Sequence, residues 1–434
     1  MSQMHLRLGS AIRGSIGVYV VGALLVLLTQ LVLARTLGAA DYGVYYYALS
    51  LLVIVSLVCQ SGLDQALLRF MPQYAQSSDW SHAKGILLFG NRYIFASSTI
   101  VASIVIVTVF LLEDRLSISQ RNTLLVAALC LPLRGLIYLR QATLRSFMHT
   151  VKSLLPDAVI MPIVLIALIA GTIQSGYPVT APRVMLATLA AIAISFLVGA
   201  YWQSKLMPQE IRAAKPLFNI KGWLTVSFML LMINGSHLFI GNIDLIILGF
   251  YRETSEIGIY GISSRIATTV TFLLIATYPV LAPVIAKHRN SDDPDDLQNA
   301  ITRIMRPLSC LAVAFAAALL ATGESILGFF GDDFKAGVNV LYILVCGQVV
   351  NALCGPVALL LAYRGHEALV AKVLFVTMLF AICLNILLIP RYGMIGAAIA
   401  NSIPVIFWNL TLYGFCRHRL NTDASGLFPK FINR

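Results

Sequence analysis

Residues 31–52 read LVLARTLGAADYGVYYYALSLL: an apolar run, a bend carrying Arg35 and Asp41, a knot of tyrosines and a second apolar run. About 215 residues later, 245–266 read LIILGFYRETSEIGIYGISSRI, and Asp41, Gly43 and Tyr45 fall in step with Glu256, Gly258 and Tyr260. Each stretch has the composition of a hairpin between two long helices. Tyrosine sits well at a membrane–water interface, and an acid at the bend lies near the positive amide end of the helix that follows. Six apolar runs separate the corners, which puts both on the same side of a membrane and makes the chain a parallel duplication.

The rest of the chain agrees with a bilayer. Of 434 residues, 59% are hydrophobic and 12% charged, with a mean hydropathy of +0.84; an ordinary soluble domain is about one quarter charged. Twelve apolar runs are predicted to span, at 14–34, 43–64, 86–112, 119–139, 153–173, 183–203, 223–250, 257–282, 304–322, 338–362, 368–389 and 393–416. Each is long enough to cross ~30 Å of hydrocarbon at ~1.5 Å per residue. The expected fold class is therefore an all-α integral membrane protein of about 12 helices. No gap between runs holds a soluble domain, and no G-x-x-x-x-G-K-[ST] loop is present to drive transport with a nucleotide. The seven cysteines form no C-x-x-C pair and read as small apolar residues within helices. Asp292, Asp293, Asp295 and Asp296 lack the glycine and terminal glutamate of a calcium loop and suit the start of a helix.

A net charge of +12 invites a nucleic-acid reading, but its distribution argues otherwise. With the N-terminus in the cytoplasm, Lys and Arg on inner loops and helix ends outnumber those on outer ones about three to one, the bias expected of topology. Both termini are then cytoplasmic. The longest connections, 204–222 and 283–303, face inward. The first, QSKLMPQEIRAAKPLFNIKG, alternates basic and apolar residues like a segment lying on a leaflet. The expected organisation is a six-helix lobe over 1–203, an amphipathic linker over 204–222, a second six-helix lobe over 223–416 and a basic tail over 417–434.

Function must then come from polar groups within the spans, since a charge in hydrocarbon costs a few kcal/mol and ordinarily faces a cavity, a partner or an interface. Three arginines stand out: Arg92, Arg134 and Arg265. Arg92 and Arg134 lie toward inner ends and either snorkel to headgroups or line a path. Arg265 lies about eight residues inside its helix, ~12 Å deep, and suits an electrostatic seat for phosphate. Asp64 and Arg69 in GLDQALLRF could pair at an inner mouth and gate it, and Asp244 could hold a coupling ion or meet a neighbour's donor. Asn234, His237, Gln348, Asn351, Asn385 and Asn401 add polarity within the spans. Pro279 and Pro283 in TYPVLAPVIAK would break a helix where it either moves or is only kinked.

Together LARTLGAADYGVYYYALSL, GLDQALLRF, NIDLIILGFYRETSEIGIYGISSRI, YPVLAP and LLIPRYGMIGAAIANSI resemble the polysaccharide-transport branch of the multidrug/oligosaccharidyl-lipid/polysaccharide exporter superfamily. The resemblance implies two six-helix lobes around a central cavity, and a flippase for undecaprenyl-pyrophosphate-linked repeat units in a bacterial inner membrane. Related lipid II flippases use a cationic cavity, a role Arg265 best matches here; to their basic and acidic cluster in the first helix, Arg13 at its very start is the only counterpart in this chain. The resemblance further implies a proton or sodium gradient as energy source, no cofactor, and a polymerase, chain-length regulator and initiating glycosyltransferase as partners. A multidrug exporter of the same fold would be expected to carry a carboxylate in its first helix, and this helix has none. A polymerase or acyltransferase would be expected to show large outer loops.

Overall fold

The structure, a computed structural model, describes residues 2–272, 274, 275, 277, 278, 281, 285, 294–420 and 422–425. Among these residues there is no strand, and nine helices are long and apolar enough to cross a membrane. The chain divides into two compact units, Met1–Gly235 and Ser236–Arg434.

The first unit holds α1 (Ser2–Gln60), α2 (Leu63–Gln76), α3 (Trp80–Leu111), α4 (Ile118–Ser146), α5 (Thr150–Leu155), α6 (Met161–Gln174), α7 (Ala181–Leu206), the short α8 (Gln209–Ala213) and most of α9 (Ile220–Ile240). A straight α1 would be far longer than a bilayer is thick. It turns back at Gly38, whose φ of 70° and ψ of 174° no L side chain adopts without strain. The proof is a hydrogen bond from Tyr42 to Gln30, twelve residues apart, which along one straight helix would be ~18 Å. The first quoted corner is thus a helix hairpin that turns at one glycine.

Helix α4 lies at the centre of this unit, packed on α1, α3 and α7. One core gathers Leu52, Ala128, Leu131 and Ile192, and a second gathers Leu67, Met71, Ile86 and Trp223 around the other end. Trp223 donates to Tyr74 Oη at 2.9 Å. The expected linker does not float: Leu217 N–H donates to Ser81 O at 3.0 Å, and Ile211 is buried against the second core. Meanwhile Phe95, Ile100, Ile104 and Val107 lie exposed along α3, as lipid-facing residues must.

The second unit holds α10 (Ile243–Tyr251), α11 (Thr254–Thr268), α12 (Pro294–Gly328), α13 (Val338–Cys354), α14 (Val357–Tyr363) and α15 (Glu367–Leu420). Helix α15 turns back at Gly393, where φ is 55° and ψ −133°. Its two arms pack on α13 and α10, over a core that includes Leu360, Leu374, Trp408 and Leu412.

The repeated corner has a structural reason. Asp41 accepts from Ser119 Oγ at 3.3 Å, at the start of α4. Glu256 accepts from Met394 N–H at 3.1 Å, just past the turn in α15, while Arg252 donates to Pro390 O at 3.0 Å. In each unit the corner's acid fastens the end of a neighbouring helix. Its tyrosines do not form an interfacial belt: Tyr45 is 2% and Tyr260 0% exposed, because each hydroxyl finds a buried partner.

Candidate functional site

Polar groups in the first unit converge on a break in helix geometry. Pro156 has no N–H to donate, and over Pro156–Ile160 the chain widens into a π-turn in which Met161 N–H reaches back five residues to Pro156 O. Asp157 sits on that turn. It forms an ion pair with Arg134 of α4, whose Nη2 donates to Tyr138 Oη at 2.9 Å and whose guanidinium lies 4.8 Å from the Tyr138 ring centre. Nearby in the core, Tyr45 and Thr188 share a hydrogen bond of 3.2 Å. Of the two readings for Arg134, neither free headgroup snorkelling nor an unpaired seat describes it: the charge is compensated inside the helices.

Arg92 is exposed on α3, with no side-chain partner among the described residues. The pairing of Asp64 with Arg69 does not form. Asp64 accepts instead from Gln65 Nε2 at 2.7 Å, and Arg69 is exposed on α2.

In the second unit Arg265 is exposed near the end of α11, and no acid or acceptor meets its guanidinium among the described residues. Directly after it the helix tightens into a 3-10 turn at Thr269–Thr271, the kind of mid-span departure that often marks a hinge. Thr271 Oγ1 and Asn351 Nδ2 both donate to Gln348 Oε1, at 3.2 Å each. Six residues beyond Arg265 in sequence, a largely buried neutral hydrogen-bonding trio thus begins at Thr271.

Asp244, 1% exposed, is the most buried carboxylate of this unit's spans. It accepts from Tyr260, from Asn401 Nδ2 at 2.8 Å and from Leu245 N–H at 2.9 Å. Three neutral donors hold it, with no cation in the ring. Alignment of the repeats puts Thr29 at the matching place in the first unit, so this acid belongs to one repeat alone. Pro279, Pro283 and the side chain of Asn234 lie outside the described residues. The Arg134–Asp157, Asp244–Tyr260–Asn401 and Thr271–Gln348–Asn351 groupings are not evident from the sequence, because each joins residues on different helices. The one available signal was the presence of Asp, Asn and Gln within otherwise apolar runs.

Residues 32–339 match a family model described as polysaccharide biosynthesis protein. A probable low-salt glycan biosynthesis flippase, Agl15 of Haloferax volcanii, is 22% identical over 376 residues, which cover 85% of this chain and 75% of that relative. Among solved structures, an inward-facing multidrug resistance MATE family transporter of the MOP superfamily aligns with a TM-score of 0.68 at 14% identity, covering 95% of this chain and 94% of that one. The lipid II flippase MurJ in an inward closed conformation aligns with a TM-score of 0.68 at 15% identity, covering 93% and 86%. At such identities the likeness establishes a common fold.

Proposed function

The chain belongs to the polysaccharide biosynthesis protein family, and from that membership we propose that it is a flippase that carries a lipid-linked oligosaccharide across a membrane. The observation that carries the reading in this chain is Arg265. A guanidinium within an apolar unit, with no partner among the described residues, repels cations and offers a planar set of donors to a phosphate group. The neutral amides and hydroxyls of Thr271, Gln348 and Asn351 suit the hydroxyl-rich head of a sugar, and no covalent step is required of them.

The finer reading is an undecaprenyl-pyrophosphate-linked repeat unit, moved by alternating access in a bacterial inner membrane. Twelve spans with both termini cytoplasmic fit it. Among the described residues two of the nine long helices fold back at a glycine. The lobes would be 1–203 and 223–416, joined by 204–222. Arg265 would seat the pyrophosphate, with Arg92 accessory to it and Arg134 held in reserve by Asp157. Asp244 would couple transport to a proton or sodium gradient, and Asp64, Arg69, Pro279 and Pro283 would serve gating. A polymerase and a chain-length regulator are the partners such a product needs.

The test is deletion of the gene in its host, followed by mass spectrometry of lipid-linked oligosaccharides in membrane extracts. Complete lipid-linked repeat units accumulate, surface polymer is lost, and Arg265→Lys restores more polymer than Arg265→Ala. An unchanged lipid-linked pool defeats the flippase reading and directs attention to efflux of drugs and dyes. Equal restoration by both variants defeats the phosphate seat.

A further inference from the structure

A cleft of about 370 Å³ opens in the first unit between α3, α4, α7 and α8, and its charged lining residues are Lys84, Arg140 and Arg212, with no carboxylate among them. It is separate from Arg265 and from the Arg134–Asp157 pair. Lys84 Nζ donates to Arg212 O at 2.7 Å and Ala214 O at 2.8 Å, which leaves one of its three N–H groups free and fixes the ammonium at the rim. Arg140 is stacked 3.7 Å over the Phe196 ring and donates through Nη1 to Phe196 O at 3.1 Å. Its Nε is buried with no acceptor. Behind it a recess of about 10 Å³, room for one water, is lined by two more buried atoms without a partner, Gln141 Nε2 and Ser195 Oγ. The cleft thus gathers three cationic side chains, one of them a rigidly held guanidinium with an unsatisfied N–H. Such an arrangement costs free energy until an acceptor with negative charge fills it.

The cleft's depth identifies the acceptor. Its wall includes Ala200, Gln203 and Ser204 on the last two turns of α7, and Met207 just beyond them. On the same turns Leu197 and Tyr201 are exposed, and Lys205 Nζ lies 6.0 Å from the Tyr201 ring centre, the aromatic and snorkelling pair expected at headgroup level. The sorting of Lys and Arg assigns this end to the cytoplasmic leaflet, where anionic lipids gather at basic pockets between helices. Aliphatic Leu87, Leu88 and Met207 continue the cleft for an acyl chain, while Asn91, Gln203 and Ser204 offer hydrogen bonds to a glycerol.

We propose that this cleft binds the phosphate headgroup of a resident anionic phospholipid, held by Arg140, Lys84 and Arg212. The chemistry shared with a free phosphate is the oxyanion; the acyl chain distinguishes the two.

The full-length protein is purified, stripped of lipid and titrated with dioleoylphosphatidylglycerol, dioleoylphosphatidylcholine or inorganic phosphate, with native mass spectrometry and thermal unfolding as readouts. Phosphatidylglycerol is expected to bind and raise the melting temperature at concentrations at least tenfold below those of phosphatidylcholine. Arg140→Gln and Arg212→Gln should each weaken it at least threefold, and Lys205→Gln, on the same turn but outside the cleft, should leave it unchanged. Arg212 is exposed on a five-residue helix, so its variant carries the test even where Arg140→Gln fails to fold. Equal binding of the two lipids overturns the proposal, as does equal weakening by Lys205→Gln. Equal protection by inorganic phosphate overturns the lipid assignment.

Discussion

The Arg134–Asp157 pair yields a prediction that separates structure from transport. Both side chains are mostly buried, at 15% and 21% exposure, so removal of either leaves its partner charged in a poorly solvated place. Breaking such a pair costs about 3–5 kcal/mol. Arg134 keeps its hydrogen bond and ring contact with Tyr138 when Asp157 is lost, so Asp157→Leu belongs at the lower end, ~3 kcal/mol. Asp157 retains no comparable partner when Arg134→Met is made, so that variant belongs nearer 5 kcal/mol. At ~2–4 °C per kcal/mol for a unit of this size, the melting temperature should fall by roughly 10 °C in the single variants. The double variant replaces the pair with apolar side chains and should recover most of the loss. A thiol-reactive fluorogenic dye suits the measurement. Cys130, one turn from Arg134, and Cys59 are buried in the same unit, while Cys310, Cys346 and Cys383 are exposed and give a constant baseline. A double variant no more stable than the worse single one refutes the compensated pair. A stable double variant that no longer restores surface polymer shows instead that Arg134 contacts substrate during transport.

The two hairpin glycines predict an ordering. Gly393→Ala incurs backbone strain of about 1–3 kcal/mol, and the new Cβ would lie 2.5 Å from Glu256 Oε2, which also endangers the bond to Met394 N–H. Gly38→Ala meets open space and incurs the strain alone, so its melting temperature should exceed that of Gly393→Ala; the reverse order is inconsistent with these turns. Asp244→Asn turns an amide donor toward Tyr260 or Asn401 and should destabilise by about 1–3 kcal/mol. In proteoliposomes it should also abolish stimulation of transport by an ion gradient, and unchanged stimulation rules out coupling at this site. Asp79 caps α3: a little burial raises its carboxyl, but the His82 N–H and ring outweigh it and hold the group below its ordinary range. A lowered carboxylate stabilises above its unfolded pKa and loses that contribution as pH falls through the folded value. Melting temperature should therefore drop more steeply for the parent than for Asp79→Asn below about pH 4, since asparagine caps without titrating. Parallel curves refute this.

Length and hydropathy made the membrane class legible, and the doubled corner drew attention to two stretches whose acids each fasten a neighbouring helix end. Sequence also exposed Arg265, because a lone cation in an apolar run has no local excuse. It did not show how Asp157 would be spent, since a π-turn redirects a side chain in a way that a 3.6-residue period cannot anticipate. Nor did it show that Tyr45 and Tyr260 point inward: a tyrosine at a bend looks the same whether its hydroxyl meets headgroups or a buried Thr188 or Asp244. The fold-back at Gly38 and Gly393 is hidden for another reason. Only backbone dihedrals, and not composition, tell a pause in a helix from a reversal.

The tightness of those reversals limits how each unit can be approached at the end where its own reversal lies. With each hairpin closed on a single glycine, and with Arg252 and Glu253 alone between α10 and α11, little polypeptide projects at these turns for an antibody, a protease or an inserted epitope to grip. The stretches 112–117 and 175–180 are six-residue connections with more room than either glycine turn. Topology mapping by tag insertion should succeed at those stretches and wreck the bundle at the glycines, so a failed tag at residue 38 or 393 reports on the turn and says nothing of sidedness.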